Sequence, residues 1–221
     1  MSSHDLCTEF VKVIQELIDR GFLAREVLQD YNKAKHGLHG LLESAFVEAG
    51  WRINMVPIVE PRIDLLEPFD PASLDGNFAK KKKRHQYRPD ISFKCNNSMY
   101  FAECCTTDNS FEYLSSEETL DDGKGGWITK RDLLLHFVEH AKPDSDPALS
   151  GLIICITLPR QMKQKPPWLF YKNVGIDFLD RFRPDWKRLA DDLGRILPTD
   201  LIILEEENVH VNNTPHPIRM P

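Results

Sequence analysis

Hydrophobic positions recur at helical spacing through the N-terminal part of the chain. Apolar side chains return every three or four positions between residues 6 and 18, which predicts a first helix. A second helical stretch is expected over residues 23–33, so that helices occupy most of residues 5–35. A third helix is expected over residues 38–49, and Gly50 is predicted to end it because glycine often follows the last helical residue.

Shorter apolar runs with strand-like spacing follow these helices. Residues 51–59 predict a strand, and residues 60–79 are rich in Pro, Asp and Gly and predict a loop. Residues 88–95 and 99–105 then flank the turn-forming sequence Asn-Asn-Ser at residues 96–98. Two short β-like runs separated in this way predict a hairpin.

The second half of the chain alternates helix and strand patterns. Residues 129–141 predict a helix that Thr129 can cap, and the continuous β-branched run at residues 152–158 predicts a buried strand. A further helix is expected to begin at Pro184, because proline favours the first helical turn, and to reach residue 197. Residues 201–204 predict the last strand.

The core elements follow the order helix, strand, strand, strand, helix, strand. This order predicts an α/β fold in which helices flank a mixed central sheet, with additional helices at the N-terminus. The length of 221 residues fits a single domain, because one hydrophobic core grows to about 250–300 residues. We place the core of this domain at about residues 37–158, and a C-terminal helix and strand within residues 184–211.

Composition and charge exclude several classes of protein. The net charge of −6 at pH 7 argues against a histone-like protein that coats nucleic acid by bulk charge, although it is compatible with a local basic site. No apolar run approaches the roughly 20 residues of a membrane-spanning helix, and the first residues lack the pattern of a signal peptide. Five cysteines without CxxC spacing argue against a disulfide framework or a zinc ribbon. A cytoplasmic protein with no membrane partner is therefore expected.

The predicted hairpin carries the candidate chemistry. Asp90 begins one of its strands, and Glu103 lies near the end of the next. Because side chains alternate between the two faces of a strand, Asp90 and Lys94 share a face, and we expect Glu103 on the same side. Two carboxylates that meet at one point suit Mg²⁺ or Mn²⁺, which retain waters and accept phosphate oxygens.

The sequence Pro89-Asp90 followed by Glu103 resembles the motif of the PD-(D/E)XK nuclease superfamily, whose restriction-endonuclease-like fold has an αβββαβ core. The predicted helix at residues 38–49 resembles the family's leading helix, and Glu43 is the glutamate that often joins the metal site. The resemblance implies an endonuclease dependent on Mg²⁺ or Mn²⁺, in which Asp90, Glu103 and Glu43 hold the metal. It also implies nucleic acid as the substrate, with DNA expected ahead of RNA, and a homodimer as in many relatives.

The family's motif lysine is missing from this sequence, because Cys105 stands in its place. That lysine orients the attacking hydroxide and stabilises the charge that develops at the phosphate. A thiol cannot replace it, since its only charged form is negative. Lys94, on the predicted face of Asp90, is the first candidate for its role. Failing that, the candidate is Lys130, at the start of the next helix, from which some viral cap-snatching endonucleases with this core supply their lysine. The alternative is a catalytically inactive module that keeps the nuclease fold and only binds.

A basic run immediately precedes Asp90. Its cations are Lys80, Lys81, Lys82, Lys83, Arg84 and Arg88. Phosphates that are neutralised by such a run release counterions, so we predict salt-sensitive binding of nucleic acid. The run lacks spaced Asn, Gln or aromatic partners, which favours contacts with the phosphate backbone over the reading of bases.

A rival motif lies in the later predicted helix. His136, Glu139 and His140 match the H-x-x-E-H pattern of inverzincin metallopeptidases, in which two histidines hold zinc and the glutamate is the base. A zinc metallohydrolase is therefore a second hypothesis, with its third ligand from the acidic stretch after the last strand. His36 and His39, which precede the leading-helix glutamate, are additional candidate ligands for the nuclease site.

Overall fold

The computed structural model describes seven segments of the chain. They are residues 2–23, 37–70, 83–105, 130–141, 148–157, 178–205 and 208–219. The helices in these segments are α1 (Ser3–Asp19), α2 (Leu38–Arg52), α3 (Lys130–His140) and α4 (Phe178–Gly194). The strands are β1 (Val56–Val59), β2 (Ile63–Phe69), β3 (Arg84–Tyr87), β4 (Ile91–Cys95), β5 (Ser98–Cys105), β6 (Ala148–Thr157), β7 (Thr199–Leu204), β8 (Asn208–Val211) and β9 (Thr214–Pro217).

Seven of these strands form one mixed sheet in the order β1-β4-β5-β6-β7-β8-β9. Strands β5, β6 and β7 run parallel to one another, and the other neighbours pair antiparallel. The predicted hairpin is confirmed, because β4 and β5 pair across a turn at residues 96–97. Strands β2 and β3 pair separately as a two-stranded ribbon, which we call the β2–β3 arm. The predicted α/β class with a mixed sheet is therefore confirmed.

Helices cover both faces of the sheet. Helices α1 and α2 pack on one face, where the rings of Phe10 and Phe46 stack with centroids 3.9 Å apart. Helices α3 and α4 and the β2–β3 arm pack on the other face, where Tyr87 stacks on Phe137 at 4.3 Å. The central strands are therefore buried from both sides, which explains their continuous apolar runs.

The first helix confirms the prediction from its sequence pattern. The Ser2 hydroxyl accepts a hydrogen bond from the Asp5 amide at 3.2 Å, and the Asp5 carboxylate accepts one from the Ser2 amide at 2.7 Å. This capping box gives partners to two amides at the helix N-terminus. The apolar positions of α1 then face the sheet, and Leu6, Phe10 and Ile14 among them are fully buried.

The prediction that Gly50 ends the third helix is wrong, because α2 continues to Arg52. Gly50 lies instead against the ring of Phe93 in β4. A Cβ atom at this position would stand 2.7 Å from Phe93 Cε1, which is closer than two non-bonded carbon atoms approach in proteins. Glycine is therefore required here by the contact between helix and sheet, and not by the end of the helix.

The extra turn of α2 is held by its last residue. The Arg52 guanidinium donates hydrogen bonds to Glu48, four residues earlier, and to Glu16 of α1. The strand predicted over residues 51–59 is consequently shorter and begins at Val56. The spacing of apolar residues did not distinguish helix from strand at residues 51 and 52, because the last turn of α2 is stabilised by a contact with another helix.

The loop predicted over residues 60–79 contains a strand that the sequence analysis missed. Leu65 and Phe69 of β2 are buried, and the Asp64 carboxylate accepts a hydrogen bond from the side chain of Gln86 in β3 at 2.8 Å. Pro68 falls in the stretch between Asp64 and Phe69 where the register with β3 shifts, and such irregular stretches tolerate proline. Composition alone therefore obscured a strand whose inward positions are apolar.

Helix α4 begins at Phe178, earlier than the predicted start at Pro184. Pro184 thus lies inside the helix, where its missing N–H leaves one carbonyl without an intrahelical donor. The helix ends at Gly194. The side chains of Trp186 and Leu189, two later residues of the same helix, are buried in the core. Their packing stabilises the helix, which Pro184 by itself weakens.

The chain continues the sheet after the last predicted strand. Strands β8 and β9 form a hairpin beside β7 that the sequence analysis does not predict. Asn212 in its turn has a φ of 56°, a left-handed conformation that asparagine tolerates. Its side chain accepts a hydrogen bond from the Leu201 amide at 2.9 Å and donates one to Asp200. These contacts with β7 hold the hairpin against the sheet.

Some predicted features lie outside the described residues. They are the second N-terminal helix beyond Leu23, His36 and the capping residue Thr129. Among the described helices, none is long and apolar enough to cross a membrane.

The contact between Gly50 and Phe93 predicts opposite effects for two glycines of α2. Gly50→Ala should lower the free energy of unfolding by about 1–3 kcal/mol, because the new methyl group overlaps the Phe93 ring. Gly40→Ala should raise it by about 0.5–1 kcal/mol, because its Cβ position has no atom within 4 Å and alanine favours a helix. Urea unfolding followed by circular dichroism measures both changes. Equal destabilisation by the two substitutions would contradict this packing.

Candidate metal centre

Two candidate ligands lie on one turn of α2. His39 and Glu43 are four residues apart and therefore share one side of the helix. The distance between His39 Nδ1 and Glu43 Oε1 is 3.6 Å. The apolar side of α2, which includes Leu42 and Phe46, is buried against the sheet and α1. The packing of α2 thus sets the positions of both polar side chains.

Asp90 joins these side chains from the sheet. It lies in a bend immediately before β4, and its Oδ2 atom is 3.4 Å from His39 Nε2. The same oxygen accepts a hydrogen bond from the Cys104 amide of β5 at 2.6 Å. The backbone carbonyl of Asp90 accepts another from the Glu60 amide, which follows β1, also at 2.6 Å. Asp90 is therefore held through both its side chain and its backbone.

His39, Glu43 and Asp90 together form the candidate metal centre. One ligand atom of each lies within 4.8 Å of the other two, and no other three His, Cys, Asp or Glu side chains of the described segments meet this condition. The exposed fractions of the three side chains are 36%, 21% and 22%, so solvent and solutes can reach them. One imidazole nitrogen and two carboxylate oxygens leave open positions on a six-coordinate cation.

The surroundings disfavour the ionised form of Glu43. Burial raises the pKa of the Glu43 carboxyl above its usual range, and the negative charges of Asp90 and Glu60 raise it further, while nearby His39 opposes the shift only in part. A divalent cation among these groups would favour the ionised carboxylates, because it adds positive charge at close range. The centre thus has an excess of negative charge that a metal ion would offset.

The structure does not bring Glu103 into this group. Only 4% of Glu103 is exposed, and its Oε1 atom accepts a hydrogen bond from the Tyr87 hydroxyl at 2.5 Å. Strand alternation places Glu103 on the side of Phe101, which packs with α3, whereas the Asp90 carboxylate turns toward α2. The expectation that Asp90 and Glu103 act from one side assumed that Asp90 lies within its strand. Asp90 precedes the strand, so the alternation does not apply to it.

The structure does not bring Lys94 to the group either. Lys94 is exposed and pairs with Met99 beside the turn between β4 and β5. It lies four residues after Asp90, which at about 3.3 Å per strand residue is a separation of roughly 13 Å. Lys130 begins α3, but its side chain lies outside the described part of the structure, as does that of Cys105.

The described part of the basic run forms ion pairs with carboxylates. Lys83 Nζ is 2.9 Å from Asp70 Oδ2, and Arg88 is paired with Glu60. Arg84 is exposed in β3. Surface ion pairs of this kind contribute little to stability, so these cations can exchange carboxylates for phosphates. Lys80, Lys81 and Lys82 lie outside the described residues.

The histidines of the rival motif lie one turn apart on α3. The ring centroids of His136 and His140 are 4.2 Å apart. Glu139 is exposed, and its Oε2 atom is 3.9 Å from His140 Nε2. In the acidic stretch that was expected to supply a third ligand, Glu205 is 3.4 Å from His210. The two histidines and Glu139 thus lie together on α3, while Glu206 and Glu207 of the acidic stretch lie outside the described residues.

The sequence analysis did not identify several parts of the site. Tyr87, Glu60 and the Cys104 amide reach their partners only through the fold, because they come from different strands or loops. His39, in contrast, was already a candidate ligand from the sequence, where four residues separate it from Glu43 within a predicted helix. That spacing by itself places the two side chains together.

Comparison with known proteins gives no family for this chain. No protein-family model matches it, and no curated protein or solved structure matches it at a significant level. The function is therefore inferred from the geometry of the candidate metal centre and from the sequence motifs that lead to it.

The raised pKa of Glu43 predicts how the stability of the metal-free protein depends on pH. A carboxyl with a raised folded pKa stabilises the protein below its unfolded pKa of about 4.3, and this contribution is lost as the pH rises through the folded pKa. Glutamine does not ionise, so Glu43→Gln should not lose stability in this way as the pH rises. In EDTA, the variant should melt at a higher temperature than the parent at about pH 7, and the two should converge at about pH 3.5. A variant that melts below the parent at neutral pH would contradict this electrostatic picture.

The hydrogen bond between Tyr87 and Glu103 predicts that their substitutions are coupled. Tyr87→Phe removes a donor from a buried carboxylate and should lower the free energy of unfolding by about 1–3 kcal/mol. Glu103→Leu leaves the hydroxyl without this acceptor, and the double variant removes both polar groups. Urea unfolding of the four proteins should therefore give a coupling energy of about 0.5–3 kcal/mol. Additive effects would show that the two groups do not depend on each other.

Proposed function

We propose that the chain is a metal-dependent nuclease that hydrolyses phosphodiester bonds, with DNA as the expected substrate. The observation that carries the proposal is the group of His39, Glu43 and Asp90, whose ligand atoms lie within 4.8 Å of one another. Asp90 belongs to the Pro-Asp sequence of the PD-(D/E)XK resemblance, and Glu43 is the leading-helix glutamate of the same resemblance. The resemblance and the geometry thus have Asp90 and Glu43 in common, whereas Glu103, the third carboxylate of the resemblance, lies outside this group.

The order of elements supports the restriction-endonuclease-like core that the resemblance implies. Helix α2, strands β1, β4 and β5, helix α3 and strand β6 follow the αβββαβ order along the chain. The β2–β3 arm is then an insertion between the first and second strands of that core. The candidate metal centre lies where the first helix of this series meets the start of its second strand.

The mixed ligand set favours Mn²⁺ over Mg²⁺. Carboxylate and water oxygens suit both cations, whereas an imidazole nitrogen such as that of His39 is better suited to transition metals. A bound cation of this kind supplies Lewis-acid polarisation of a phosphoryl oxygen and a bound water that ionises more easily. The Cys104 amide fixes one oxygen of Asp90, so that this ligand is oriented before any ion binds.

The resemblance assigns further roles to Glu103 and to a lysine. Glu103 is buried on the side of α3, where its Oε1 atom accepts the Tyr87 hydrogen bond, so its side chain must turn before it can coordinate the same ion. For the lysine the resemblance offers Lys94, which about 13 Å of strand separates from the centre, and Lys130, whose side chain lies outside the described residues. The role of this lysine is to orient the attacking hydroxide and to stabilise the developing charge.

The basic run is well placed to bind the phosphate backbone beside the centre. It ends at Arg88, whose partner Glu60 also donates its amide to the Asp90 carbonyl. Lys83 and Arg84 extend along the arm away from this point, and both are exposed. A phosphate that displaces these carboxylates releases counterions, which makes binding weaker at high salt.

Cleavage of circular DNA, linear DNA and RNA in Mn²⁺, Mg²⁺ or EDTA tests the proposed function. Asp90→Asn should abolish both cleavage and Mn²⁺ binding, because it removes the ligand charge while it keeps the size of the side chain. Asp64→Asn, the matched change at an exposed carboxylate of β2, should alter neither. His39→Ala should weaken binding of Mn²⁺ more than that of Mg²⁺, since only the imidazole discriminates between them.

Two outcomes would count against this reading of the centre. Cleavage by Asp90→Asn at the parent rate would exclude the site, and a parent protein that binds nucleic acid but cleaves nothing would favour the inactive module. The same assay separates the two lysines. The lysine that fills the role should slow cleavage by about 10²–10³-fold when it is changed to alanine, the usual effect of losing one electrostatic stabiliser, whereas the alanine variant of the other should cleave at the parent rate.

A further inference from the structure

The polar side of α3 faces the β2–β3 arm. Ala141, directly after α3, forms a backbone bridge with Leu65 of β2, and His136 packs edge-on against Phe69 with ring centroids 5.3 Å apart. Glu67 lies between these two points of β2. The fold therefore brings the histidines of α3 to a glutamate of β2, although 69 residues separate His136 from Glu67 in the sequence.

A hydrogen bond assigns the tautomer of His136. Its Nε2 atom is 2.8 Å from the backbone carbonyl oxygen of Glu67. A carbonyl oxygen can only accept, so Nε2 carries the proton, and the neutral imidazole keeps a lone pair on Nδ1. Histidines that bind metals commonly donate their other nitrogen to a backbone carbonyl, because this bond fixes both the ring and the tautomer. His136 thus presents Nδ1 as a ligand atom.

His140 lies one helical turn later, between two carboxylates. Its Nδ1 atom is 3.9 Å from Glu67 Oε2, and its Nε2 atom is 3.9 Å from Glu139 Oε2. Zinc–ligand bonds of about 2.0–2.2 Å allow two ligands of one ion to be at most about 4.4 Å apart, so either carboxylate is within range. The side chains of Glu67 and Glu139 are 73% and 54% exposed, and they can therefore rotate toward an ion.

We propose that His136 and His140, completed by Glu67 or Glu139, form a second metal site that takes zinc or a similar transition-metal ion. Two imidazoles and one carboxylate suit such ions better than Mg²⁺. The three ligand atoms do not lie within 4.8 Å of one another, so side-chain rotation has to bring them together around an ion. The proposal is independent of the nuclease function, because it involves no residue of the candidate metal centre.

Coordination by Glu67 would fasten β2 to α3. The contacts described above between them are the Leu65–Ala141 bridge, the contacts of His136 with Glu67 and Phe69, the His140–Glu67 pair and the packing of apolar side chains. The arm continues from Tyr87 directly into the segment that holds Asp90. A metal ion at this place therefore has a structural role, because it links β2 of the arm to α3. It has no part in the chemistry of hydrolysis.

The test uses the full chain with the candidate metal centre removed by Glu43→Gln and Asp90→Asn, so that only zinc bound elsewhere is measured. After treatment with EDTA and dialysis, calorimetry with Zn²⁺ should give one ion per chain. His136→Ala and His140→Ala should each weaken zinc binding by about 10–100-fold or more. His4→Ala, at an exposed histidine of α1, should leave the affinity unchanged.

Zinc should also raise the melting temperature of this background protein. The rise should vanish in His140→Gln, which keeps the size of the side chain and checks the result if the alanine variants fold poorly. Loss of zinc affinity in Glu67→Gln supports a site that links β2 to α3. Loss in Glu139→Gln supports a site completed on α3 itself. Absence of zinc binding by the background protein, or unchanged affinity in both histidine variants, would overturn the proposal.

Discussion

The Oδ2 atom of Asp90 is the point on which the candidate metal centre depends. This one oxygen accepts the Cys104 amide at 2.6 Å and lies 3.4 Å from His39 Nε2, so that it joins the sheet to helix α2. The helix can approach the sheet this closely because Gly50 has no side chain to meet the ring of Phe93. The geometry of the ligands and the packing of the core therefore follow from the same contact between helix and sheet.

The carboxylates near the start of β4 differ in how well their charges are satisfied. Glu103 is buried, and its Oε1 atom accepts a hydrogen bond from Tyr87. Glu43 and Asp90 are half-buried, lie close to each other and are only partly balanced by His39. Such an imbalance costs stability in the metal-free protein, and it is typical of sites that bind cations.

The β2–β3 arm connects the two groups of candidate metal ligands. Its strand β2 meets the histidines of α3, and β3 leads through Tyr87 and Arg88 into the bend that carries Asp90. The two groups lie on opposite sides of the sheet, one beside α2 and the other beside α3. Movement of the arm would therefore change the position of the segment before β4, because that segment is short and covalently continuous with β3.

The sequence by itself determined the α/β class, helix α1, most of α2 and the hairpin of β4 and β5, because periodicity, capping and turn residues act over a few neighbours. It also identified Asp90 and Glu43, since a Pro-Asp sequence and a helical glutamate are local signals. Only the tertiary structure decided that Gly50 lies inside a helix, that the Asp90 carboxylate turns toward α2 and that Tyr87 binds Glu103. These outcomes depend on contacts between residues far apart in the chain, whose distances and burial no local pattern encodes.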